Sequence, residues 1–332
     1  MVKLRLFAKI FACGIFICSC GIYLSGISLV TQRRVSNRDH GVDVSSTAPP
    51  EKPQLCTHKQ RIKGVESACK QHGELQWHNS SQVSISSFPN LLVDDKHQLL
   101  YCGFPKAAST SWLKHFVRAS GKWEKGQMSI RGKGIERYGF KHLHSLPEKE
   151  ARDRLQTYRK MVVVRHPLDR LVSAWRDKLV MKDSPYRKTI GKNIIRKFRG
   201  SYNEGDLASF DEFANFVAIG FSNQHWATFR SCKPCLVRCD YISRTETVEQ
   251  DSGDIMAVLG LGDHLPAIHA HRSAGLHYME TDLWQFENVS RAIYDKLLGI
   301  YQADMDIFGY GFNFSQKTAY CSLQKFTGDD CC

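Results

Sequence analysis

A chain that passes from an apolar strand through a short polar turn into a helix is committed to α/β architecture. Residues 98–120, QLLYCGFPKAASTSWLKHFVRAS, have this form. The apolar run breaks at Gly103 and Pro105 and re-forms with apolar residues at helical spacing. A helix N-terminus presents unpaired backbone N–H groups and the positive end of its dipole, so small residues ahead of it let a phosphate approach. The turn comprises Pro105, Lys106, Ala107, Ala108, Ser109, Thr110 and Ser111, in which the lysine and three hydroxyls add donors. The same residues also suit an ordinary βα turn, and so short a pattern does not by itself separate the two readings.

Residues 158–180, YRKMVVVRHPLDRLVSAWRDKLV, repeat the plan. Met161 to Val164 suit a buried strand, Arg165, His166 and Pro167 form its exit, and Leu168, Leu171, Val172, Trp175 and Leu179 recur at helical spacing. A cation at a strand's carboxyl end, with Ser173 two turns along the helix, fits a second phosphate in the crevice of an open α/β sheet. Two phosphate turns imply a doubly phosphorylated nucleotide. The fold class expected is α/β, with a central, mostly parallel sheet and flanking helices.

PKAASTSW, followed from Val162 by VVVRHPLDRLVSAWRDK, resembles the paired phosphate-binding motifs of sulfotransferases. The match is to the Golgi carbohydrate sulfotransferase family that includes chondroitin 4-O-sulfotransferases and the enzyme making the human natural killer carbohydrate epitope. There the first motif usually reads PKVGCSNWK and binds the 5′-phosphosulfate of 3′-phosphoadenosine 5′-phosphosulfate (PAPS), Lys106 matching its lysine. The second usually reads VREPFERLVSAYRNKF and binds the 3′-phosphate at the positions of Arg165 and Ser173. HWATFRSCKPCLVRCDYISRTETVEQD, residues 225–251, and the close IYQADMDIFGY resemble two further family blocks, so the likeness covers most of residues 98–311 in order. It implies a P-loop-like, PAPS-dependent sulfotransferase fold and a glycan acceptor. Three departures mark a divergent member: Ala108 stands for a common Gly, Ser109 for Cys, and His166 for an acid. Ala108 makes the loop less free to take positive φ.

Sulfuryl transfer needs a base near neutral pH, and histidine's ordinary pKa suits it. His142 and His144 lie two apart in the basic stretch 131–160, on one face if the segment is a strand, and the resemblance puts a histidine-bearing segment just upstream of the second motif. Either could equally fill a structural role, and His225 is the next candidate. Two rival classes remain at this point. A P-loop NTPase lacks its signature here, since Ala108 and Ser109 follow Lys106 where GxxxxGK[ST] would end. A non-enzymatic glycosaminoglycan-binding membrane protein would account for charge and anchor but not for two spaced phosphate turns.

The chain has 332 residues and 42% hydrophobic content, enough for one large domain with appendages, and a formal net charge of +13. Such an excess implies an anionic partner, for which nucleic acid, an acidic membrane surface and an acidic polysaccharide are all candidates by composition. The family resemblance implies an acidic glycosaminoglycan or other glycan acceptor and no nucleic acid. Residues 10–30 are 21 uncharged residues, long enough to cross a bilayer. With sequons at Asn79, Asn288 and Asn313 and many cysteines beyond, the expected protein is a single-pass type II Golgi membrane protein with a luminal catalytic domain. Its parts are a cytoplasmic tail over 1–9, a transmembrane signal-anchor over 10–30, a luminal stem over 31–87 and the catalytic domain over 88–332.

Nine cysteines follow the anchor, an odd number that leaves at least one unpaired within the chain. Cys232, Cys235 and Cys239 beside His225 allow a zinc site, but a lone CxxC in an oxidising lumen favours disulfides, and no metal is expected. Ser209 with Glu212 reads as a capping box, and Ser290 as the cap of a later helix. The run 182–199 holds many cations and little periodicity, as a solvated loop or a channel for a polyanion would.

Overall fold

The computed structural model describes residues 57–72, 83–123, 134–261, 268, 282–313 and 318–321. Its central sheet contains β1 (Leu91–Asp94), β2 (Leu99–Gly103), β3 (Lys141–His142), β4 (Arg159–Val164) and β5 (Tyr241–Arg244), in spatial order β3-β1-β2-β4-β5. β2 pairs with β4 and β4 with β5 in parallel, whereas β1 pairs antiparallel with both β2 and β3. The expected mostly parallel sheet therefore needs correction: pairings divide evenly, although four of the five strands point the same way. The physical reason is the short Asp95–Gln98 connection, which can join only antiparallel neighbours because a parallel crossover needs a dozen or more residues. The four like-directed strands deliver their carboxyl ends to one edge. β2 as far as Cys102 and β4 from Met161 to Val164 are buried, as expected of central strands covered on both faces.

Two helices follow phosphate turns: α2 (Ser109–Ala119) after β2 and α4 (Pro167–Trp175) after β4. Between them α3 (Glu148–Thr157) leads into β4. The second half supplies α5 (Lys192–Arg199), α6 (Phe210–Ala218), α7 (Val248–Val258) and α8 (Arg291–Phe308), and a hairpin of β6 (Tyr310–Asn313) and β7 (Thr318–Cys321). Ser209 and Glu212 do form a capping box, and Ser290 accepts from the Ile293 N–H at the start of α8. Phe210, Phe213, Phe216 and Val217 of α6 are buried, which places that apolar stripe in the core.

Helix α1 (His58–Gln71) lies in the stretch expected as stem, yet it belongs to the folded unit. Thr57 and Gln60 cap it reciprocally, Val65 and Ala68 are buried, and Arg61 pairs with Asp251 at 2.7 Å with both side chains buried. Folded structure thus begins by Thr57 rather than at Phe88. The run 182–199 is also more regular than its composition implied, since α5 buries Ile194 and Ile195 and turns its cations outward.

Cys69 bonds to Cys235 and Cys102 to Cys232, with Cα separations of 5.6 and 6.0 Å. The CxxC pair is thereby divided between two disulfides, and neither sulfur remains as a zinc-ligating thiolate. Cys239 is free and half-buried. The anchor 10–30 and Asn79 lie outside the described residues; among those described, no helix is long and apolar enough to cross a membrane.

Candidate active site

β2 ends at Gly103 beside Val163 of β4, so the turns that follow the two strands leave the sheet side by side. In the first, Lys106 and Ala108 both take left-handed backbone, at φ 70° and 52°. Ala108 accordingly does adopt the conformation in which a glycine would be unstrained, at a cost on the order of 1 kcal/mol. It is also the N-cap of α2, and no side chain caps that helix, so its first-turn N–H groups face the loop. Thr110 is exposed, Pro105, Ala108 and Ser109 are half-buried, and Ala107 and Ser111 are buried. The N–H of Ser111 closes the turn onto the Ala108 carbonyl at 3.0 Å.

In the second turn Pro167 opens α4, its fixed φ suiting the first helical position. Arg165 Nη1 donates to the Lys106 carbonyl at 3.4 Å, and Arg165 lies 3.8 Å from Asp169. One guanidinium thus bridges both phosphate turns. Ser173 is half-buried two turns into α4. His166 is buried away from this cradle: Nε2 bonds to the Gly311 carbonyl at 3.0 Å and the ring meets Tyr310 edge-on. Burial pushes its pKa down to about 4, so it is neutral and ties the turn to β6.

The structure adds residues that sequence reasoning missed. α4 continues into a π turn, Arg176–Val180, which aims Asp177 at Lys106, 3.3 Å away, and at Lys178, 2.8 Å away. Such π turns often mark functional sites, but helical apolar spacing through Leu179 gives no sign of one. Burial lowers the Lys106 pKa against the opposing pull of Asp177. The Asp177 carboxyl is held low, burial being outweighed by hydrogen bonds and charge from Lys178 and Lys106.

Lys178 lies 5.5 Å from the Tyr186 ring, and Tyr186 meets His225 edge-on, its hydroxyl 3.3 Å from Nε2. Burial first, then the charges of Lys178, Lys106 and Arg170 against Asp177, takes the His225 pKa down to about 4. Arg170 of α4 is buried and donates to the carbonyls of His225, at 3.4 Å, and Ala227, which fixes this loop behind the phosphate turn. The structure therefore joins Lys106, Arg165, Asp177, Lys178, Tyr186 and His225 in one constellation.

His142 and His144 do not share a strand, as β3 ends at His142 and His144 falls in a 3₁₀ turn. Their rings are 5.6 Å apart, at the same sheet edge as the phosphate turns, since His142 and Tyr101 both face Leu92 across β1. β1 intervenes, setting them roughly two strand spacings, about 10 Å, from β2.

A sulfotransferase family model matches residues 89–311, two thirds of the chain and both phosphate turns. The chain belongs to the sulfotransferase family. It is similar to rat carbohydrate sulfotransferase 11, at 28% identity over 269 residues covering 76% of each chain, and to rat carbohydrate sulfotransferase 10, at 28% over 284 residues covering 80% and 78%. Human carbohydrate sulfotransferase 9 is 32% identical over 217 residues, 61% of this chain and 48% of that one. No solved structure matches significantly. Identities of this size agree with the divergence seen in the motifs, and the chain is an enzyme of this family.

Proposed function

We propose that this enzyme transfers the sulfuryl group of PAPS to a hydroxyl of N-acetylgalactosamine in a chondroitin-like glycosaminoglycan. The observation that carries the reading is the Arg165 to Lys106 hydrogen bond, which sets two phosphate turns around one space. The residues present fit the donor: an uncapped α2 N-terminus beside Lys106 suits the 5′ end, and Arg165 with Ser173 suits the 3′-phosphate. PAPS supplies the activated sulfuryl group. Pro105, Ala107, Ala108, Ser109, Thr110 and Ser111 shape the cradle, while Lys106 neutralises charge that develops on the oxygen of the breaking bond. A histidine, from His142, His144 and His225, takes the acceptor's proton.

The cationic run through α5 supports a polyanionic acceptor, and the names of the relatives support a carbohydrate one. The two disulfides, and Asn288 exposed within its sequon, support a luminal domain behind an anchor over residues 10–30. The test is retention of the luminal domain on immobilised 3′,5′-bisphosphate with release by free bisphosphoadenosine, followed by labelled PAPS offered to desulfated chondroitin, heparosan and a glycoprotein in parallel. Label in heparosan alone would sink the chondroitin reading, and failure to bind bisphosphate would sink the donor.

A further inference from the structure

Three histidines compete for the base, and geometry separates them. His142 is affected chiefly by its own burial, then by His144 and Glu136, and its ring lies 5.6 Å from that of His144. His225 instead feels Lys106, Asp177 and Lys178 directly, and its Nε2 touches the hydroxyl of Tyr186. Its other nitrogen, Nδ1, is buried without a hydrogen-bond partner, so Nε2 is the one ring atom through which a proton can be exchanged with a ligand. The backbone that carries the ring is anchored as well: Arg170 donates to the His225 carbonyl, and the His225 backbone N–H donates to Asn223 Oδ1 at 3.1 Å.

Tyr186 is half-buried and directly precedes the π turn Arg187–Gly191, which runs into α5. The segment that carries the exposed cations therefore begins at the residue touching His225. A polyanion drawn along Lys188, Lys192 and Arg196 would arrive at the Tyr186 hydroxyl, beside Lys178 and the phosphate turn.

We propose that Tyr186 and His225 form the proton-accepting dyad of the transfer, with the tyrosine hydroxyl touching the acceptor and His225 Nε2 as the final base. This rests on the sulfotransferase reading above. In the step, the acceptor O–H breaks and its proton passes to the Tyr186 oxygen, which gives its own proton to Nε2. The acceptor oxygen's electron pair forms the new bond to sulfur. The old bond from sulfur to the phosphate oxygen breaks, and its electron pair leaves with the bisphosphate beside Lys106. Atoms and charge balance without a further reactant. The depressed basicity of His225 has a purpose in this scheme. It keeps the ring unprotonated and ready, and the donor's negative charges against Lys106 and Lys178 raise its affinity for a proton once the donor is seated.

The test compares wild type with His225→Ala, His225→Gln and Tyr186→Phe in the luminal domain, reading sulfate transfer, bisphosphate affinity and thermal midpoint. Each histidine variant should lose about 100- to 10,000-fold in kcat, the range for a positioned base, with bisphosphate affinity within about threefold of wild type. Tyr186→Phe should lose kcat similarly while folding normally, since it deletes one oxygen. Added imidazole should restore part of the activity of His225→Ala and none of that of Tyr186→Phe with His225 intact, which a merely structural role would not produce. Full kcat in either histidine variant overturns the dyad, as does equal loss of bisphosphate affinity and kcat. If wild type itself binds no bisphosphate, the sulfotransferase donor site is wrong and the dyad falls with it. If wild type binds and transfers, the variants judge the dyad alone.

Discussion

Lys106 is half-buried with its ammonium 3.3 Å from Asp177, so its charge is both costly and useful. Removing it as Lys106→Ala should lower turnover by about 100- to 1,000-fold, the scale for losing a donor to developing charge, with a smaller effect on bisphosphate binding. Wild-type rates of labelled sulfate transfer would refute that role. Asp177→Asn gives a pH test with a defined sign. Burial lowers the Lys106 pKa and Asp177 opposes the shift, so neutralising the aspartate lets the pKa fall further and moves the alkaline limb of kcat/KM to lower pH. A limb that stays in place assigns it to another group. Ala108, held at φ 52°, predicts that Ala108→Gly relieves left-handed strain. Stability should rise by up to about 1 kcal/mol, read as a higher denaturant midpoint, provided the extra freedom of the unfolded chain does not consume the gain. At this scale the two turns were legible because glycine, proline and a cation punctuate apolar runs. Asp177, Tyr186 and His225 were harder to see, because what assembles them is two π turns and the buried Arg170, and neither leaves a periodic trace.

Helix α1 shows how an element can hide in composition. Its sequence HKQRIKGVESACKQ is mostly polar, and its inward face is formed by Arg61, Gly64, Val65, Ala68 and Cys69. The Thr57 to Gln60 capping box was the available signal. What fixes α1 is long-range: Asp251 Oδ2 accepts from Arg61 at 2.7 Å, from the Arg244 N–H at 2.8 Å and from Thr247 at 2.8 Å. Cutting one partner leaves a buried carboxylate partly uncompensated, so Arg61→Met should destabilise by about 3–5 kcal/mol. Chemical denaturation of the protein would measure it, and a loss below about 1 kcal/mol would mean that the backbone and threonine donors suffice. Truncation at residue 88 should be worse, since it removes the helix and the Cys69–Cys235 link together. By contrast α2, α4, α6 and α8 were readable from spacing and caps, and α5 was not, because its paired isoleucines sit among six cations over 187–199.

For the whole molecule, the legible facts were the α/β class and the shared edge for both turns. The strand order was not, because β1 and the two-residue β3 are placed by pairing with residues distant in sequence, which no local pattern encodes. Net charge of +13 has a consequence that can be measured without knowing the acceptor's sulfation pattern. Much of the excess sits on the arm from Arg187 to Arg199, where Arg199 is paired with Glu212 while Lys188, Arg196 and Lys197 are exposed. Attraction between exposed charges is screened over about 10 Å at 0.1 M salt, so KM for a chondroitin-like chain should rise as salt is added. The double variant Arg196→Glu, Lys197→Glu should raise that KM by about tenfold at low salt, flatten its salt dependence and leave kcat near wild type, because steering acts on encounter rather than chemistry. An uncharged oligosaccharide acceptor is the control, and its KM should respond to neither salt nor the variant. If the charged and uncharged acceptors shifted together, the variant would have damaged the fold. If neither shifted, the polyanion would approach over another surface and α5 would be only a solvated face.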